Sequence, residues 1–173
     1  MKTRPKIFIG ADHRGVQLKN KIREILKDNG YTVEDEGTFQ ENKPCDYPII
    51  SYKVAQHVAK SRNSRGILVC MTGIGHTIAA NKVPGINAAL CYNKEAAVLS
   101  RQHNNANILV LGARFVSEND LLDIVKTWLT TEFEEGRHLR RVKQIRKIEQ
   151  EVCKSSQKSK ARSQKKKLLT SDL

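Results

Sequence analysis

Cys70 closes the aliphatic run Gly66-Ile67-Leu68-Val69 and is followed by Met71-Thr72-Gly73-Ile74-Gly75-His76. A thiol so placed stands at the carboxyl end of a buried strand, beside a glycine turn that opens a helix. Main-chain N–H groups at such a turn converge on negative charge, and the same position can depress a thiol's pKa toward neutrality. The chemistry this allows is a nucleophile or base beside an oxyanion cradle. Two blander readings stay open. Free cysteine is among the most buried residue types, so Cys70 can be an inert core thiol, and the turn can be an ordinary strand-to-helix connection.

The remaining reactive side chains are scattered. The turn is not a Walker loop, because the Lys-Ser/Thr pair is missing, and it is not a dinucleotide fingerprint, because Ile78 stands at the third glycine position. His13 follows Asp12 and can be oriented by it. His103, in Ser100-Arg101-Gln102-His103-Asn104-Asn105, ends a short helix, where it either caps carbonyls or does chemistry. His76 projects from the first helical turn beside the glycines. Arg137 and Arg141 are four apart, hence neighbours on one helical face, and either chelate a phosphate or form a solvated basic face. Cysteines 45, 70, 91 and 153 form no CxxC pair and have no companion histidine at ligand spacing, so neither a disulfide framework nor a zinc site is expected.

The elements that would position these groups alternate. Strands are expected at Lys6–Gly10, Tyr31–Glu36, Gly66–Cys70, Ile86–Cys91 and Asn107–Gly112. Helices are expected from Val16 to Asn29, Ile49 to Ser61, Thr77 to Lys82, Glu95 to His103, Asn119 to Phe133 and Arg137 to Val152. This order predicts an α/β protein, a three-layer α/β/α sandwich around a five-stranded parallel, Rossmann-like sheet, with a C-terminal helix and a basic tail. Ligands of such sheets bind at strand carboxyl ends, and Asp12-His13, Cys70–Gly75 and Gly112-Ala113-Arg114 all fall there.

At 173 residues the chain suits one domain, expected over 1–152, followed by a tail over 153–173. Formal net charge is +13; the tail alone holds seven Lys or Arg against one Asp, with no apolar periodicity before Leu168. That tail is expected to be disordered or a frayed helical extension. The basic balance suits anionic partners, either phosphorylated metabolites or nucleic acid, without choosing between them. No apolar run approaches a membrane span, and no signal peptide precedes the first strand, so a reducing cytosol is the expected compartment.

The motifs GADHRG, DYP, CMTGIG-x-x-IAANK, LSRQHN, LGAR and EGRH-x-x-RV occur together in this order. Over about residues 6–150 the chain resembles type B ribose-5-phosphate isomerase, in the wider ribose/galactose isomerase family. The resemblance implies an aldose–ketose isomerase of carbohydrate metabolism, interconverting ribose 5-phosphate and ribulose 5-phosphate without cofactor or metal. It implies a homodimer or homotetramer with active sites composed from two subunits, no membrane, and nucleic acid as an unexpected partner. By the same resemblance Cys70 is the base between carbons 1 and 2, and His103 assists ring opening. Asp12, His13 and Tyr47 contact the sugar, while the amides of Met71, Thr72, Gly73, Ile74 and Gly75 stabilise the enediolate. Asn104 binds a hydroxyl, and Arg114, Arg137 and Arg141 hold the phosphate. The chain departs from the family at Met71, where glycine is common. If that position required positive φ, a side chain there would cost roughly 1–2 kcal/mol. Rival readings are an isomerase of allose or galactose 6-phosphate, and a non-catalytic phosphate- or nucleic-acid-binding relative.

Overall fold

The computed structural model describes the backbone of residues 4–170 and the side chains through Ser155. Its elements run β1 (Lys6–Ala11), α1 (Val16–Asp28), β2 (Val33–Asp35), α2 (Tyr47–Lys60), β3 (Ser64–Cys70), α3 (Ile74–Ala80), β4 (Ala88–Leu90), α4 (Lys94–Asn104), β5 (Ile108–Gly112), α5 (Glu118–Thr130) and α6 (Gly136–Thr170). Every strand pairing is parallel, and the order across the sheet is β2-β1-β3-β5-β4. The expected α/β sandwich is therefore the observed one. Strand β3 starts earlier than its aliphatic run suggests, because Ser64 pairs with Lys6 at the foot of β1. Helix α2 starts at Tyr47, with Pro48 in its first turn, where proline's missing N–H costs nothing.

The period-two alternation of the strands sorts their side chains into two cores. Ile7, Ile9, Ile67, Val69, Leu109 and Leu111 face α1, α4 and α5, meeting Ile22, Leu26, Ile124 and Trp128. Phe8, Leu68, Ile108 and Val110 face α2 and α3, meeting Val54, Val58 and Ala80. Continuing that alternation sends Cys70 toward the α2–α3 side. Trp128 is fully buried in the first core, with the guanidinium carbons of Arg65 and Arg101 each 5.8 Å from its ring centre.

The chain divides into two compact units, with the boundary between Glu135 and Gly136. The first is the three-layer sandwich; the second is α6. From Cys153 onward, where a disordered tail or a frayed helical extension is expected, the backbone is helical. Helix α6 runs unbroken through that position to Thr170, because residues 137–170 contain neither glycine nor proline and abound in Lys, Arg and Gln, which hold helical geometry at little cost. Among the described residues no helix is long and apolar enough to cross a membrane.

Candidate active site

The sheet order reverses between β1 and β3. From β1 the chain passes outward to β2 and then returns to β1's other side as β3, so a crevice opens above the carboxyl ends of these two strands. Ala11 pairs with Val69 in the last step of that ladder, which sets Asp12 and Cys70 at the lip. The Asp12 amide donates to Val69 O at 3.3 Å. Asp12 is only 8% exposed, and its Oδ1 accepts the amides of Arg14 at 3.0 Å and Gly15 at 3.1 Å. Its carboxylate is thus held in one orientation by main chain.

Cys70 is buried, and the Gly73 amide donates to its Sγ at 3.0 Å. Gly73 reaches that position with φ 81°, a left-handed conformation that glycine adopts without steric cost. The thiol's pKa is raised above its ordinary value, chiefly by burial; the amides of Gly73, Thr72 and His76 pull it down, and the Asp12 carboxylate pushes it up. The depressed pKa expected from sequence is therefore reversed. Loss of water around the sulfur outweighs the three amides that face it. Those amides still define a cradle for negative charge, centred on sulfur.

His76 is fully buried, beneath the turn. Its Nδ1 lies 2.6 Å from Ser51 Oγ, and Ser51 Oγ donates to Tyr47 O at 3.0 Å one turn back in α2. Which of Nδ1 and Ser51 Oγ donates across that contact depends on the imidazole tautomer. Nε2 is buried without a hydrogen-bond partner. Burial lowers the imidazole pKa to about 4, with the Val69 carbonyl opposing, so the ring is neutral near pH 7. Tyr47 stands edge-on to this ring at 5.6 Å between centres. It also closes over Gly75, where a Cβ would come within 2.5 Å of Tyr47 Cζ.

Other expected residues gather at the same end of the sheet. His13 Nδ1 accepts the Cys45 amide at 3.4 Å, tying the loop before α2 to the end of β1. The Arg114 amide donates to Met71 O at 3.0 Å, and the Arg114 side chain is exposed beyond β5. Met71 does not need a glycine conformation, since Asn105 (φ 47°) and Glu135 (φ 59°) are the described non-glycine residues with positive φ. The steric cost raised by the missing glycine does not arise. Ser51 was not visible in the sequence as a site residue. It lies mid-helix in a stretch with no motif, and only the packing of α2 on α3 brings it to His76.

His103 and Asn104 are not brought to Cys70 within the chain. They end α4, just before β5, and β5 starts with Ile108 beside Gly66 and ends with Gly112 beside Cys70. Four residues of strand, about 13 Å, separate those two levels. His103 Nε2 instead lies 3.8 Å from a carboxylate oxygen of Glu134. Arg101 anchors this corner: it is buried and donates to Asn105 Oδ1 at 3.0 Å, to Thr131 O at 3.3 Å and to Ala106 O. Arg137 and Arg141 lie one turn apart at the start of α6.

A family model described as ribose/galactose isomerase matches residues 7–145. Ribose-5-phosphate isomerase B of Escherichia coli K12 is 44% identical over 145 residues, covering 84% of this chain and 97% of the relative. Among solved structures, ribose-5-phosphate isomerase B of Clostridium thermocellum is 51% identical with a TM-score of 0.82, covering 85% of this chain and 99% of that one. The Mycoplasma genitalium enzyme, solved with bound ribulose 5-phosphate, is 44% identical with a TM-score of 0.82, over 84% and 97% of the two chains.

Proposed function

The chain belongs to the ribose/galactose isomerase family, and from that premise we propose that it interconverts ribose 5-phosphate and ribulose 5-phosphate through an enediolate. The observation that carries the reading is the Cys70 sulfur, held 3.0 Å from the Gly73 amide beside the carboxylate of Asp12, at the β1–β3 crevice. An aldose–ketose isomerase needs one base that reaches two adjacent carbons and donors where charge develops on oxygen. As thiolate, Cys70 takes the proton from C2 of the open-chain aldose and returns it to C1, while the O2 proton passes to O1. The amides of residues 71–75 and the Thr72 hydroxyl are assigned to the developing enediolate oxygens. Asp12, His13 and Tyr47 are assigned to the sugar, and Arg114 to the phosphate.

The remaining residues come from a second copy of the chain. His103 and Asn104 sit at the far end of the sheet from Cys70, and we assign them, with Arg137 and Arg141, to the crevice of a partner subunit as ring opener, hydroxyl ligand and phosphate clamp. Large exposed apolar side chains support such pairing: Ile49, Tyr52, Ile74 and Ile78 on the mutually packed α2 and α3, and Ile145, Ile148 and Val152 on α6. The isomerase region is taken as 1–152, since the family match ends at residue 145, with 153–173 lying outside it. Four free thiols suit a reducing compartment, for which the cytosol is our assignment.

A coupled assay on ribose 5-phosphate, with chelator present, tests the reading. Wild-type protein turns over, and Cys70→Ala lowers kcat by about 100- to 10,000-fold with the fold intact by circular dichroism. Wild-type turnover in Cys70→Ala overturns the base assignment. Higher kcat/KM on allose or galactose 6-phosphate would instead assign the enzyme to six-carbon substrates.

A further inference from the structure

Asp12, Cys70 and His76 each offer one ligand atom, and the three atoms lie within 4.8 Å of one another, all on buried residues. Carboxylate oxygen, thiolate sulfur and imidazole nitrogen are the donor types that zinc takes, at about 2.0–2.3 Å each. Tetrahedral ligands at those lengths stand about 3.4–3.6 Å apart, so no pair has to close by more than about 1.4 Å.

Each donor is already held from outside. The Arg14 and Gly15 amides fix the Asp12 carboxylate, the Gly73 amide fixes Cys70 Sγ, and Ser51 Oγ fixes His76 through Nδ1. Outer contacts of this kind orient metal ligands. His76 is the decisive group. It is 0% exposed, and its Nε2 is the atom left without a hydrogen-bond partner. A buried ring nitrogen without a hydrogen-bond partner is a cost that a metal ion removes.

We propose that Asp12, Cys70 and His76 form a binding site for a zinc-class divalent ion, which on binding occupies the place of the sugar and halts turnover. Coordination replaces the S–H bond of Cys70 by a metal–sulfur bond and releases that proton to solvent. Three protein ligands leave a fourth position for water or a substrate oxygen. The ion competes with the reaction because it takes the proposed base and a sugar ligand together. The block on turnover rests on the isomerase reading; the metal site does not.

The test is titration of the full-length, chelator-treated protein with Co2+, then with Zn2+ as competitor. One equivalent of Co2+ is expected to give a near-ultraviolet thiolate-to-metal charge-transfer band, which Zn2+ removes. Zn2+ abolishes turnover of ribose 5-phosphate, and chelator restores it. His76→Leu and Ser51→Ala each weaken metal binding about tenfold or more, while both turn over in chelator. Absence of the charge-transfer band overturns the proposal, as does unchanged affinity in His76→Leu. A protein that shows the band but never turns over ribose 5-phosphate overturns the isomerase reading and leaves the metal site standing.

Discussion

His76 binds a proton in the fold only near pH 4, whereas an unfolded histidine does so near 6.5. Between those values the unfolded chain binds the extra proton and the folded chain does not, so stability falls as pH drops through that window and levels off below it. The full shift corresponds to about 3 kcal/mol. Urea unfolding in chelator at pH 7 and pH 4.5 is expected to show most of that loss in wild type and a smaller loss in His76→Leu. Equal losses would remove His76 as the source. Cys70 shows why such values are hard to read from residue order. Three amides near a turn were legible in the spacing of Gly73 and Gly75, but the depth at which the sulfur lies was not. Depth decides the direction of its shift.

At the scale of elements, the connection from α4 to β5 is the part most exposed to single substitutions. Arg101 supplies donors to Thr131 O, Ala106 O and Asn105 Oδ1 at once, while Asn105 holds φ 47° as the helix C-cap. Burial lowers its pKa to about 10, so it stays charged at neutral pH. Replacing Arg101 by Leu leaves the buried Ala106 carbonyl without its donor, at about 1–3 kcal/mol, and removes a second donor from the half-buried Thr131 carbonyl. A drop in the urea midpoint together with a lower kcat/KM is expected, since His103 and Asn104 share that corner; an unchanged midpoint would refute the anchoring role. The five strands and the main helices were legible because their apolar periods are clean, as in Ile67 to Val69 and Leu121 to Trp128. The meeting of Asp12 with Cys70 was legible only as a shared position at strand ends. Its closeness depends on β3 lying next to β1, which no local pattern encodes. Ser51 was not legible, because it gains its role solely from the packing of one helix against another.

For the molecule as a whole, the proposed sharing of His103 between subunits predicts complementation. Cys70→Ala and His103→Ala oligomers are each expected to be nearly inactive alone. After mixing under conditions that exchange subunits, random pairing in a two-fold dimer restores about one quarter of the sites, because half the dimers are hybrids and each hybrid carries one intact site. Assay of the mixture measures this directly; no recovery after proven exchange would place both residues' roles within one subunit. The family match stops at residue 145, and α6 continues past Val152, where the apolar spacing predicts its end. Its basic composition reads as a solvated tail, yet nothing in it interrupts a helix.

Trp128 is the only tryptophan in the chain, and it is shielded from water and flanked by the charges of Arg65 and Arg101. Its fluorescence therefore originates from one known place, on the opposite side of the sheet from Cys70's neighbours in α2 and α3. Emission should be blue-shifted in the native protein and move to longer wavelength once that core admits solvent. A single optical signal thus follows loosening of the core that α4, which carries His103, covers together with α5, without any need to watch the sugar react.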